Sequence, residues 1–82
     1  MKEERDLFLV SFGRHLRLIR EGKKIRSGEK ISLRKLEQLS TVDYSQIHKI
    51  EKGISSPSLT TLNLLAVSLE ISLADLVTFD IV

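Results

Sequence analysis

The chain has 82 residues, enough for one domain with a small core and little stability in reserve. It lacks cysteine and has two histidines far apart in sequence, which excludes disulfides and thiolate metal sites, so no metal and no cofactor is expected. The net charge of +2 is unevenly divided: residues 1–53 hold all 13 Lys/Arg against 8 Asp/Glu, whereas residues 54–82 hold three acids and no Lys/Arg, an asymmetry that suits a polyanionic partner as well as it suits an ordinary solvated surface.

The opening MKEERDLFLV carries acids where a signal peptide would be basic, and no apolar run approaches the roughly 20 residues of a membrane span. A soluble, cytoplasmic chain with no membrane contact is expected. Leu9, Phe12, Leu16 and Ile19 recur at spacings of three and four, which predicts a first helix over residues 4–21, with Arg14, Arg17 and Arg20 elsewhere on the cylinder. Residues 22–30, GKKIRSGEK, read as a basic loop. Ser32 is a cap for a second helix over residues 33–40 that turns Leu33, Leu36 and Leu39 toward the core. Thr41, Val42 and Asp43 form a turn, and Asp43 caps a third helix over residues 44–52 that buries Ile47 and Ile50 and stops at Gly53. Pro57 interrupts the chain before a helix over residues 59–69, capped by Ser56 or Ser58, with Leu62, Leu65, Ala66 and Leu69 on one face. Ser72 with Asp75 starts a short fifth helix through Val77. The fold class is all-α, five short helices around one core.

Helices of about eight residues do not persist in water alone, so the second and third must pack on each other and on a further helix. With Leu36, Val42, Ile47 and Ile50 shared as core, the third helix displays Tyr44, Ser45, Gln46, His48, Lys49 and Lys52. That set of donors, acceptors and cations lies on a cylinder that fits a major groove about 12 Å wide. This is a helix-turn-helix geometry.

The pattern S-x-x-x-L-x-x-x-x-x-V-x-x-S-x-I-x-x-I-E-x-G-x-x-x-P-S-L-x-x-L, from Ser32 to Leu62, resembles the phage-repressor/Cro-type helix-turn-helix family, also called the XRE family. The likeness spans about Phe12 to Val77. It implies a five-helix, lambda-repressor-like DNA-binding domain that acts as a transcriptional regulator, commonly a homodimer on a palindromic operator in double-stranded DNA. Carried onto this chain, it implies a recognition helix over residues 44–52 with Tyr44, Ser45, Gln46, His48 and Lys49 as base readers. Lys49 suits guanine, Gln46 adenine, and Tyr44 or the Ser45 methylene a thymine methyl. Phosphate contacts are expected from Ser32, Arg34, Lys52 and the loop residues Lys23, Lys24, Arg26 and Lys30. Arg20 and Glu51 match a structural salt bridge of the family.

Three positions depart from the family pattern. Leu33 stands where a polar, phosphate-anchoring residue is usual. Glu37 replaces a small residue, so either its carboxylate turns sideways to Lys49 or Arg34, or the two helices sit further apart. Thr41 replaces the turn glycine. The leucine-rich stretch after residue 58 exceeds what one helix face buries, which makes Leu64, Val67, Leu73, Leu76 and Phe79 candidates for a dimer contact. His15 has no Ser, Cys or paired acid spaced to use it and is expected at the surface or beside a phosphate; no enzyme activity is expected. The same fold also serves as an antitoxin or protein-interaction module with a protein partner such as a toxin, and this alternative stands beside the regulator reading.

Overall fold

A computed structural model describes residues 6–26 and 28–81, so the expected helical residues 4 and 5 lie outside the described part. Five helices follow in order: α1 (Leu7–Arg20), α2 (Leu33–Ser40), α3 (Tyr44–Glu51), α4 (Leu59–Ser68) and α5 (Leu73–Leu76). No strand occurs among the described residues, and no helix among them is long and apolar enough to cross a membrane. Helix α1 starts at Leu7 because the Asp6 carboxylate accepts the amides of Phe8 and Leu9 at 2.9 and 3.3 Å. Ser32, Asp43, Ser58 and Ser72 cap the other four, and between Ser56 and Ser58 it is Ser58 whose hydroxyl accepts from Thr61.

Helix α1 packs on α3, α2 packs on α3 and α4, and α4 packs on α5. Phe12, Leu16, Ile19, Leu36, Val42, Ile47, Ile50, Leu65, Ala66, Leu69 and Leu76 form the core, and each isoleucine fully withdrawn from water contributes about 2 kcal/mol. Leu39, expected on the inner face of α2, is instead turned to solvent. The turn after α2 keeps a left-handed residue although it has no glycine: Thr41 sits at φ 62°, ψ 8°. That conformation is unfavourable for a β-branched residue, and the neighbouring contacts hold it. The buried Ser40 hydroxyl donates to the Leu36 carbonyl at 2.7 Å and accepts the Val42 amide at 3.1 Å, while the Thr41 hydroxyl donates to the Ser40 carbonyl.

Two contacts set α3 against α1. A β-carbon at Gly13 would fall on the Ile50 and Glu51 carbonyl oxygens, so only glycine lets the two backbones approach this closely. At the ends of the same helices, Arg20 donates through Nε and Nη2 to Glu51 at 2.6 and 2.9 Å, and through Nη1 to the Ile31 carbonyl at 2.9 Å. Only 6% and 5% of the two side chains remain exposed, so each charge depends on the other in place of water. Gly53, at φ 76°, supplies the left-handed stop after α3.

Two expected surface residues are core residues. Leu76, grouped above with the dimer contacts, is fully buried because α5 folds its apolar side onto α4. His15 is 2% exposed rather than at the surface: Phe79 stacks on its ring at 5.6 Å, and its Nε2 donates to the Asp75 carbonyl at 3.2 Å. Its Nδ1 is buried without a hydrogen-bond partner.

Two consequences for stability are measurable. Glu51→Ala strands the Arg20 charge and is expected to cost about 3–5 kcal/mol, lowering Tm by more than about 10 °C. Replacing the pair together, Arg20→Met with Glu51→Leu, is expected to cost less than Glu51→Ala alone. His15 titrates below its ordinary value, chiefly because it is buried, with Lys24 adding to the shift and the Asp75 carbonyl opposing it. The unfolded chain therefore takes up a proton near pH 6.5 that the folded chain resists, and stability is complete above that pH and falls as the pH drops below it. Thermal melts between about pH 7.5 and pH 5.5 are expected to show this decline, and His15→Phe is expected to flatten it.

Candidate nucleic-acid interface

Helix α3 is amphipathic across its width. Ile47 and Ile50 are fully buried, while Ser45, His48 and Lys49, with Lys52 at the C-cap, are exposed on the other side. Tyr44 and Gln46 are half-buried at its leading end. The sequence-derived base-reading candidates thus lie together on one helix, backed by a rigid apolar floor.

The start of α3 carries two carboxylates. Asp43 accepts the Ser45 amide at 3.2 Å and the Ser45 hydroxyl at 2.6 Å, and these bonds hold its pKa below the usual carboxylate range. With its proton directed at Asp43, the Ser45 oxygen presents lone pairs outward and acts as an acceptor. Glu37, in α2, accepts the Tyr44 amide through Oε2 at 3.0 Å and Arg34 Nη1 through Oε1 at 3.1 Å. Of the alternatives open for Glu37, the side chain turns toward Arg34 and not Lys49. The Arg34 guanidinium lies 4.4 Å from the Tyr44 ring centre, and the His48 ring is 6.4 Å from the same ring.

Beside α3, a cleft is lined by Arg17, Arg20, Glu21, Lys30, Ser32, Leu33, Arg34 and Tyr44. Ser32 stands at the N-terminus of α2, where its hydroxyl accepts the Lys35 amide at 3.0 Å. Leu33 is half-buried and packs against the core, which accounts for an apolar residue there. Arg17 was not singled out from the sequence for a phosphate role. It lies on the solvent side of α1 and binds Glu21 at 3.1 Å, a contact that holds Glu21 below the usual carboxylate range. Of the loop residues, Lys23 stands 3.6 Å from Glu21, Arg26 donates to the Glu29 carbonyl at 2.8 Å, Lys24 is half-buried and Lys30 is exposed.

The dimer candidates are dispersed. Leu64 and Val67 face solvent on α4, Leu73 and Phe79 are half-buried, and Leu76 is inside. Phe79 is held within the chain by the rings of Phe8, Phe12 and His15 at 5.3, 5.4 and 5.6 Å. Leu59 is exposed at the start of α4, and Phe8, Val77 and Ile81 surround a separate apolar groove; no periodic pattern in the sequence marks these residues.

Comparison with known proteins agrees with this geometry. A helix-turn-helix family model matches residues 23–76. The fold is similar to that of the restriction-modification controller protein C.AhdI from Aeromonas hydrophila, with a TM-score of 0.72 and 34% sequence identity over 83% of this chain and 94% of that one. It is also similar to the clp gene regulator ClgR from Corynebacterium glutamicum, with a TM-score of 0.72 and 26% identity over 89% of this chain and 71% of that one. No curated protein sequence matches the chain. With well over half of its length matched by the family model and 34% identity to C.AhdI over 83% of the chain, the chain belongs to the XRE-type helix-turn-helix family of DNA-binding transcriptional regulators.

Proposed function

We propose that this chain is a sequence-specific transcriptional regulator that binds a palindromic operator as a homodimer, with α3 of each protomer in the major groove. The observation that carries the reading is the two-sidedness of α3: Ile47 and Ile50 are sealed inside, and Ser45, His48 and Lys49 are exposed on the other side. Lys49 donates to guanine O6 or N7, and Gln46 pairs with adenine. Ser45 accepts from an exocyclic amine of adenine or cytosine, because its own proton is held by Asp43. His48 and Tyr44 complete the reading face. Lys23, Lys24, Arg26, Lys30, Lys52 and Arg17 neutralise phosphates, and Ser32 at the start of α2 hydrogen-bonds one, which supplies affinity without sequence information.

The homodimer reading rests on exposed apolar side chains of α4: Leu59 at 70% exposure, Val67 at 67% and Leu64 at 39%. C.AhdI is a restriction-modification controller protein and ClgR a clp gene regulator. A regulatory role on DNA is the one consistent with both.

Binding to duplexes selected from a random pool tests the reading. Affinity is expected to fall with salt at a slope near 0.9 per contacted phosphate. Lys49→Ala is expected to narrow the gap between selected and scrambled duplexes by about 5- to 100-fold. Lys24→Ala should weaken both alike and lower the salt slope by about one per protomer. Equal patterns of loss in the two variants would remove the division between base reading and phosphate contact. For assembly, Val67→Glu is expected to shift sedimentation from dimer to monomer and to weaken binding to a full palindrome far more than to a half-site. An unchanged sedimentation profile would place the dimer contact elsewhere.

A further inference from the structure

Arg34 and Glu37 are joined to Tyr44 in a way that the groove-binding reading leaves unexplained. Glu37 reaches across the turn from α2 to accept the first amide of α3, and its second oxygen holds Arg34, whose guanidinium in turn covers the Tyr44 ring. The contacts form a closed circuit of three residues on two helices, which reaches Tyr44 twice, at its main-chain amide and at its ring. A carboxylate at the positive end of a helix is favourably placed, and a planar guanidinium is the cation best shaped to lie on an aromatic face while bonding a carboxylate edge.

A solvated surface pair would account for the contact between Arg34 and Glu37 alone, since such pairs contribute little. It does not account for the bond from Glu37 to a main-chain amide of α3, or for the ring under Arg34. A phosphate anchor would account for Arg34's place in the basic cleft with Arg17, Lys30 and Ser32. Yet the guanidinium already gives Nη1 to the Glu37 carboxylate and one face to the Tyr44 ring. The ring contact sets Arg34 apart from Arg17 and Lys23, which also face a carboxylate, that of Glu21, and are left to meet phosphate.

We infer that Arg34 and Glu37 are positioning residues for Tyr44, holding its ring in one orientation at the leading end of α3 so that it discriminates at one base position, and that Arg34 makes no phosphate contact. This inference rests on the reading of α3 as the groove helix. It replaces the phosphate role expected for Arg34 from the family pattern. Glu37, which stands where the family usually has a small residue, becomes a specificity element.

The experiment uses the full chain and duplexes selected by it. Binding of wild type, Tyr44→Ala, Arg34→Ala, Arg34→Lys, Glu37→Gln and the Tyr44→Ala/Arg34→Ala double variant is measured on the selected site and on each single-base variant, across a salt series. Tyr44→Ala identifies the position that the ring reads. Arg34→Ala, Arg34→Lys and Glu37→Gln are expected to reduce preference at that same position by about fivefold to tenfold, with the salt slope unchanged. Arg34→Ala is expected to add nothing in the Tyr44→Ala background. The Arg34 side chain is 67% exposed, so its variants are expected to fold, and thermal melts check this directly. Uniform weakening on all duplexes, with the slope lowered by about 0.9 per protomer, would make Arg34 a phosphate contact and overturn the inference while leaving the groove reading intact. Failure of the wild-type chain to bind any duplex in a salt-dependent way would overturn the groove reading, and this inference with it.

Discussion

The bidentate pair of Arg20 and Glu51 is the constraint on which the rest of the structure depends. It joins the last residues of α1 and α3, two helices that are not consecutive in the chain, and the third bond of Arg20, to the Ile31 carbonyl, ties in the segment that leads into α2. A helix of eight residues cannot hold itself together in water. Helix α3 persists because Ile47 and Ile50 seal one side of it and Glu51 fastens its end. Withdrawing two charges from water is expensive, and the pair is tolerable only because it is fully hydrogen-bonded at good geometry.

With one side of α3 committed to the core, its polar side is displayed by default. The groups around it are sorted by charge. Carboxylates from Asp43 and Glu37 occupy the start of α3, where main-chain amides need acceptors. Cations from α1, the loop and the start of α2 line the adjoining cleft. All the Lys/Arg of the chain precede residue 54, so α4 and α5 add apolar packing and no positive charge. Among the described residues, an interior of eleven apolar side chains suffices for a domain of this size only because the caps and the buried pair satisfy the polar groups that short helices leave open.

What could be read from the sequence was whatever depends on near neighbours. Ser32, Asp43 and Ser72 marked helix starts because capping acts over two or three residues, and Ile47, Ile50, Leu65 and Leu69 marked the core because helical spacing puts them on inward faces. Contacts set by tertiary packing were not legible. His15 is inside because the segment after α5 brings Phe79 back onto α1, and Leu76 because α5 packs on α4; no spacing rule connects residues 15 and 79. Thr41 drew attention as a poor turn residue, but the Ser40 hydroxyl that secures the turn did not, since a serine at a helix end has many possible partners. Glu37 was recognised as out of place in the family pattern, while its bond to the Tyr44 amide involves the main chain and leaves no trace in residue spacing.

Gly13 has a mechanical implication. Most helix pairs meet through interlocking side chains, and a layer of rotamers can absorb a small shift of one helix against the other. Where α1 crosses the end of α3, a missing side chain brings main chain onto main chain, and that cushion is gone. The two rods are therefore stiffly geared: a change in the tilt of α1 has nothing to yield at the crossing and reappears as a change in the tilt of α3.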